Sequence, residues 1–156
     1  MPDFVVEELT ADQIPQAYPL MRQVAPTLDL QQWTRFARRS TDARRPPSSG
    51  ILMVRRPPRP YPCGLVCYRR DKDPALTAVL TAEYFVAMDM LDSAGALEAL
   101  VAELEKAARR LGCTAIRSLI QGSDPSVATG LLAASHHPDG KLLVKLLPTP
   151  GEATED

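Results

Sequence analysis

Cysteine is scarce in this chain: Cys63, Cys67 and Cys113 are three thiols among 156 residues. An odd number without paired short spacings excludes a cysteine zinc site, which takes four ligands, and offers no disulfide framework. The three read as buried thiols of a reducing compartment, and no metal is expected. Long apolar runs are lacking as well. Nowhere do about 18 apolar residues follow one another, so no membrane-spanning helix is expected. The start, Met1-Pro2-Asp3-Phe4, has neither the basic nor the apolar stretch of a secretory signal. A cytoplasmic location is the expectation. Net charge is also small, at −1, but it is unevenly spread. Arg35, Arg38, Arg39, Arg44, Arg45, Arg55, Arg56, Arg59, Arg69, Arg70 and Lys72 stand against only Asp42 and Asp71 in that stretch. Such a run can mark a phosphate or nucleic-acid surface. Without aromatics placed through it as a stacking platform, it is read as a solvated arginine-rich loop with strand ends, and no nucleic-acid partner is expected.

What is present is an ordinary globular composition, 45% apolar and 24% charged, long enough to bury one core. One domain over residues 1–147 with a flexible polar tail over 148–156 is the expectation. Residues 4–9 (FVVEEL) read as a strand, and Thr10-x-x-Gln13 opens a helix in which Pro15 sits in the first turn and Pro19 should kink or end the segment. Leu30, Trp33, Phe36 and Ala37 form the stripe of a second helix ending near Arg39. Residues 51–55 (ILMVR), 64–69 (GLVCYR) and 76–90 have strand composition and short links, which suits antiparallel pairing. The strongest helix runs over 93–111, with Leu97, Leu100, Val101, Leu104 and Ala108 on one face and Gly112 as its stop. A strand over 114–120 should lie parallel to the one before that helix. Asp124 and Pro125 open a last helix to about Ser135, and residues 141–147 (KLLVKLL) read as a final strand. That strand can sit inside the sheet or pair across a homodimer.

This order, β-α-α-β-β-β-α-β-α-β, resembles the GCN5-related N-acetyltransferase (GNAT) superfamily over nearly the whole chain, from Phe4 to Leu147. The closest likeness lies in LTAEYFVAMDMLDSAGALEALVAELEKAARRLGCTAIRSLI, residues 80–120, which looks like the superfamily's long fourth strand, cofactor turn, third helix and fifth strand. The stretch from Glu105 to Gly112 fits the helix ending "E-x-A-x-x-x-G" almost residue for residue. The resemblance implies an α/β fold with a mixed, mostly antiparallel sheet flanked by helices. It also implies acetyl-CoA as cofactor, held by its pyrophosphate at the helix start, and an amine of a small molecule or a protein as acceptor. Helix N-termini suit anions because free amides and the dipole point at the ligand.

The superfamily writes the turn as Q/R-x-x-G-x-G/A, which falls here on Asp92-Ser93-Ala94-Gly95-Ala96-Leu97. The amides of Gly95 and Ala96 are therefore the candidate cofactor donors. Asp92 stands where the superfamily has an amide or a base, and Leu97 brings bulk to a small-residue position. Glu83, within the strand, is the candidate catalytic base, with Thr81 and Phe85 expected on its face and Ala82, Tyr84 and Val86 on the other. Asp89, nearer the turn, is a weaker candidate. The acid often supplied by a tyrosine has Leu131 or Leu132 in its place, His136 and His137 read as a solvated turn, and a thiol nucleophile at Cys63 or Cys67 lacks a companion histidine. Two readings stay open: an acetyl-CoA-dependent N-acetyltransferase, or an inactive GNAT-fold binding or interaction module lacking the usual pyrophosphate loop and acid.

Overall fold

Five strands follow one another in space in the order of the sequence. They are β1 (Val5–Glu8), β2 (Ser49–Arg55), β3 (Pro62–Asp73), β4 (Thr77–Ala87) and β5 (Ala115–Ser118). The coordinates are a computed structural model that describes residues 3–44 and 48–149. Arg45 of the basic run and most of the expected tail lie outside the described residues. The first four strands pair antiparallel, and β5 joins β4 in parallel from Val79↔Ala115 to Ala82↔Ser118. Parallel neighbours need a crossover, and α3 (Ser93–Arg110) supplies it. Its C-cap is Leu111, and Gly112 follows with φ +71°, the left-handed residue that closes a helix. The mixed sheet flanked by helices is the expected α/β class.

Each sheet face carries its own core. Leu80, Ala82, Phe85 and Val66 on one side meet Leu97, Leu100, Val101 and Leu104 of α3 and Val127 and Leu131 of α4 (Pro125–Ala133). On the other side Ile51, Met53, Leu65, Cys67 and Val86 meet α1 (Ile14–Val24) and α2 (Leu30–Ser40) through Ile14, Ala17, Met21, Trp33 and Ala37. A short 3-10 turn, Ala11–Gln13, leads into α1. Asp29 starts α2 with a reciprocal cap, accepting from the Gln32 amide at 2.7 Å while the Gln32 side chain accepts from the Asp29 amide at 2.9 Å. Trp33 is fully buried and donates Nε1–H to the Ile14 carbonyl at 2.8 Å, which fastens α2 to the start of α1.

Three local expectations are corrected. Pro19 does not end α1, which runs on to Val24, so the stop expected of it is absent. The lost backbone bond is offset by burial of Ile14, Ala17 and Met21 along the same helix. In β4 the simple alternation fails after Glu83: Cys67 pairs with Glu83 but Leu65 pairs with Val86, so β4 holds one residue more than β3, and Tyr84 there has φ +60°. The extra residue reverses the faces. Phe85 consequently goes to the α3 side and Val86 to the α1 side, opposite to the alternation expected from sequence. Residues 141–147 form no strand, and their apolar side chains Leu142, Leu143, Val144, Leu146 and Leu147 are 66–89% exposed.

Replacing Trp33 tests the α1–α2 fastening. Trp33→Ala should cost about 3–5 kcal/mol by emptying a fully packed site. Trp33→Phe keeps most of the ring but loses the bond to the Ile14 carbonyl, at about 0.5–1.5 kcal/mol. Urea melts followed by circular dichroism would show this ranking.

Candidate functional site

The site expected at the end of β4 is built by three connections converging there. β5 leaves β4 early: the last backbone bond between them runs from the Leu119 amide to the Ala82 carbonyl at 2.8 Å. The next β4 amide, that of Tyr84, donates instead to Gln121 Oε1 at 2.7 Å. From there to Ala87, β4 has no strand neighbour on its β5 side among the described residues. Beyond Ala87 the Met88 amide donates to the Cys63 carbonyl at 2.7 Å, and the chain turns into α3.

The turn is organised around Asp89. Its carboxylate is nearly buried, and one oxygen accepts from Arg56 Nη2 at 2.9 Å and Nε at 3.2 Å, from the Asp92 amide at 2.8 Å and from the Leu91 amide at 3.3 Å. The Arg56 guanidinium holds this carboxyl below the usual carboxylate range, and the two amides add to the effect. Reciprocally, Asp89 raises Arg56. Arg56 leaves β2 toward β3 and lies over the Phe4 ring, 4.6 Å from its centroid. The Ser93 hydroxyl completes the turn by donating to the Asp89 carbonyl at 2.8 Å.

Asp92 caps α3, and its Oδ1 accepts from the Gly95 amide at 2.8 Å. The Ala96 amide donates to the Asp92 carbonyl at 3.2 Å, and Ala96 itself is buried in the core. Both amides singled out in the sequence thus have partners within the chain. A Cβ at Gly95 would collide with the Asp92 carboxylate and the Phe4 ring. The glycine is therefore explained by what the chain itself puts against it. Leu97 points into the core, where it touches Gly130 of α4 closely enough that a Cβ there would strike it.

Glu83 lies elsewhere, on the α1–α2 face opposite Cys67. Its carboxylate pairs with Arg69 Nη1, Arg69 Nε reaches Asp71 at 3.2 Å, and the buried Thr81 hydroxyl donates to Asp71 at 2.6 Å. Burial first, and Glu83 second, push the Cys67 thiol far up, so it stays protonated and is no nucleophile. Cys63 is raised chiefly by burial. His136 Nδ1 lies 3.3 Å from the Ser118 hydroxyl and its pKa is lowered by partial burial, while His137 is exposed. Leu131 is buried in the α3–α4 core and Leu132 is exposed.

Sequence reasoning missed a cleft of about 380 Å³ beside Asp89, walled by Leu20 and Gln23 of α1, Tyr61 and Cys63 at the start of β3, and Met88 and Met90. It also missed Arg56 and Phe4 as parts of the turn. The signal for Arg56 lay in pairing it with a distant acid, which no local spacing encodes. Among the described residues no group of histidines, cysteines and acids could hold a metal, and no helix is long and apolar enough to cross a membrane.

The Asp89 node predicts an acid-linked loss of stability. A carboxyl held low in the folded state stabilises the fold above its unfolded pKa, near about 3.9, and that contribution disappears as pH falls through the folded value. Asp89→Asn should therefore melt lower than the parent at neutral pH, with the gap narrowing below about pH 4. Thermal melts across pH would display the convergence.

No protein-family model matches this sequence, and no curated protein matches it. Solved structures do match its shape. A ribosomal-protein-alanine N-acetyltransferase from Brucella melitensis superposes with a TM-score of 0.72 at 12% identity, covering 92% of this chain and 99% of that one. An aminoglycoside N-acetyltransferase in complex with CoA gives 0.73 at 10% identity, over 93% and 94% of the two chains. Glucosamine-6-phosphate N-acetyltransferase from Arabidopsis thaliana gives 0.64 at 11% identity, over 93% and 99%. At such identities the likeness is one of architecture, and with the strand order, crossover helix and β4 turn described above it establishes that this chain has the GNAT acetyltransferase fold.

Proposed function

We propose that this chain is a GNAT-fold binding module that does not take acetyl-CoA as its resting ligand. The observation that carries this reading is the set of partners at the start of α3. A pyrophosphate held there needs free amides and no nearby negative charge. The Gly95 amide is instead held by the Asp92 carboxylate, the Asp92 and Leu91 amides by Asp89, and the Ala96 amide by the helix itself. Two carboxylates, Asp89 and Asp92, thus stand at the start of α3. A carboxylate on the Gly95 amide opposes an anion at that place. The absent tyrosine in α4 points the same way. The seat this reading leaves is the cleft beside Asp89, whose Leu20, Tyr61, Met88 and Met90 suit an apolar group of a small molecule or of a partner chain.

Acetyl transfer to an amine, in a cytoplasmic setting, is the second reading. It is favoured by the strand-free side of β4 beyond Ala82 and by Glu83 as a carboxylate on the face opposite α3, where it would serve as the base.

Calorimetric titration separates the two. The parent should give no heat with CoA or acetyl-CoA at millimolar ligand, and micromolar affinity would overturn the first reading. Asp92→Ala should lose about 1 kcal/mol of stability, the usual worth of a cap, and gain measurable CoA affinity by releasing the Gly95 amide. Leu97 is left in place because it packs on Gly130. If the parent does bind acetyl-CoA and acetylates an amine, Glu83→Gln should cut turnover while leaving CoA affinity intact.

A further inference from the structure

We infer that Ser118 and His136 form a nucleophile–base pair that hydrolyses small acyl esters through an acyl-Ser118 intermediate. The inference goes beyond the cleft at Asp89 and is independent of what that cleft or the start of α3 holds. Ser118 is the last residue of β5, where the strand parts from β4, and its hydroxyl lies 3.3 Å from His136 Nδ1. A serine hydroxyl within reach of an imidazole nitrogen is the arrangement that activates an otherwise weak nucleophile, and such contacts run long before substrate binds. Both side chains are half-buried. His136 is placed by the way α4 ends. Ser135 takes the left-handed conformation, φ +68°, at the position where helices ordinarily close with glycine. The His136 and Ser135 amides turn back to the Leu131 and Leu132 carbonyls at 3.0 and 3.2 Å. A serine held in that conformation is strained backbone, and its effect here is to bring the following histidine against β5. On the strand, Ile116 packs on the α3–α4 core, so Ser118, two residues on, faces the same way.

The surroundings supply the remaining parts of such a reaction. Partial burial lowers the pKa of His136, so the ring is neutral near neutral pH and able to take a proton. Glu105 of α3 and His137 are the charged and titratable groups acting on the ring, and Glu105 opposes the burial. Glu105 is thus a positioning residue, whose charge favours the imidazolium that forms during the reaction. The Leu119 amide donates to the Ala82 carbonyl, so the Ser118 amide points the other way, to the side on which β5 has no neighbour among the described residues. The nucleophile's own amide is a donor for the oxyanion of acyl transfer. Ile120, two residues after Ser118, and Leu132, one turn before His136, are exposed at 44% and 56% and offer an apolar seat for a short acyl chain. In the first step the Ser118 proton passes to His136 Nδ1 as Oγ bonds to the acyl carbon. The bond from that carbon to the alcohol oxygen breaks, and the alcohol leaves with the proton. Water then gives a proton to Nδ1 and its oxygen to the acyl carbon, the bond from Oγ to that carbon breaks, and Ser118 recovers its proton. Ester and water become acid and alcohol.

p-Nitrophenyl acetate and a fluorophosphonate label, used on the full chain, test this. The parent should hydrolyse the ester with saturation kinetics and take up the label at Ser118, as mapped by peptide mass. Ser118→Ala should abolish labelling and lower kcat at least about a hundredfold, with circular dichroism and melting unchanged. His136→Gln should lower kcat to a similar extent. Glu105→Gln should move the acid limb of the kcat–pH profile to lower pH, because losing its charge lowers the pKa of the ring; a purely structural role would leave that limb in place. Should Ser118→Ala fail to fold, the label map of the parent decides. Labelling at another residue, no labelling, or turnover that survives Ser118→Ala overturns the inference.

Discussion

The carboxylate of Asp89 is the point on which the candidate site turns. A nearly buried charge is tolerated only when paired and hydrogen-bonded, and this one has Arg56 and two backbone amides as its partners. Those bonds tie the β2–β3 connection to the turn between β4 and α3, and Arg56 in turn lies over Phe4 at the entry to β1. Three parts of the chain distant in sequence are thereby held at one place. Asp92 extends the same logic one turn further by capping α3 through the Gly95 amide. The anion-binding potential of a helix start depends on its amides being unsatisfied, and here the Gly95 amide goes to Asp92 while the Leu91 and Asp92 amides just before the helix go to Asp89.

The second constraint is the extra residue in β4. One added residue reverses the alternation, which keeps Glu83 with Cys67 and Val86 over the α1–α2 core and sends Phe85 to α3. At the same position the Tyr84 amide turns to Gln121 rather than to β5. The bulge thus both sorts the core and ends the parallel pairing. An architecture hosts a reaction only through the groups placed in it.

The sequence by itself determined the elements. Period-3.6 stripes with Asp29, Asp92 and Asp124 as caps, β-branched runs between Pro- and Gly-rich links, and Gly112 after the long helix set the order of strands and helices. It also marked Asp92 as the cap of the long helix, which the bond to the Gly95 amide bears out. These are local signals, carried by residues within one or two turns of each other. Only the tertiary structure decided the rest. That Asp89 would meet Arg56, that Gly95 would be hemmed in by Phe4, and that Leu97 would face Gly130 are pairings between residues whose separation in sequence hides them. The bulge at Tyr84 escaped because alternation is blind to an inserted residue until a partner strand fixes the count. Residues 141–147 have the composition of a strand and remain outside the sheet, since strand propensity is set by the packing that surrounds a segment and not by its own residues alone.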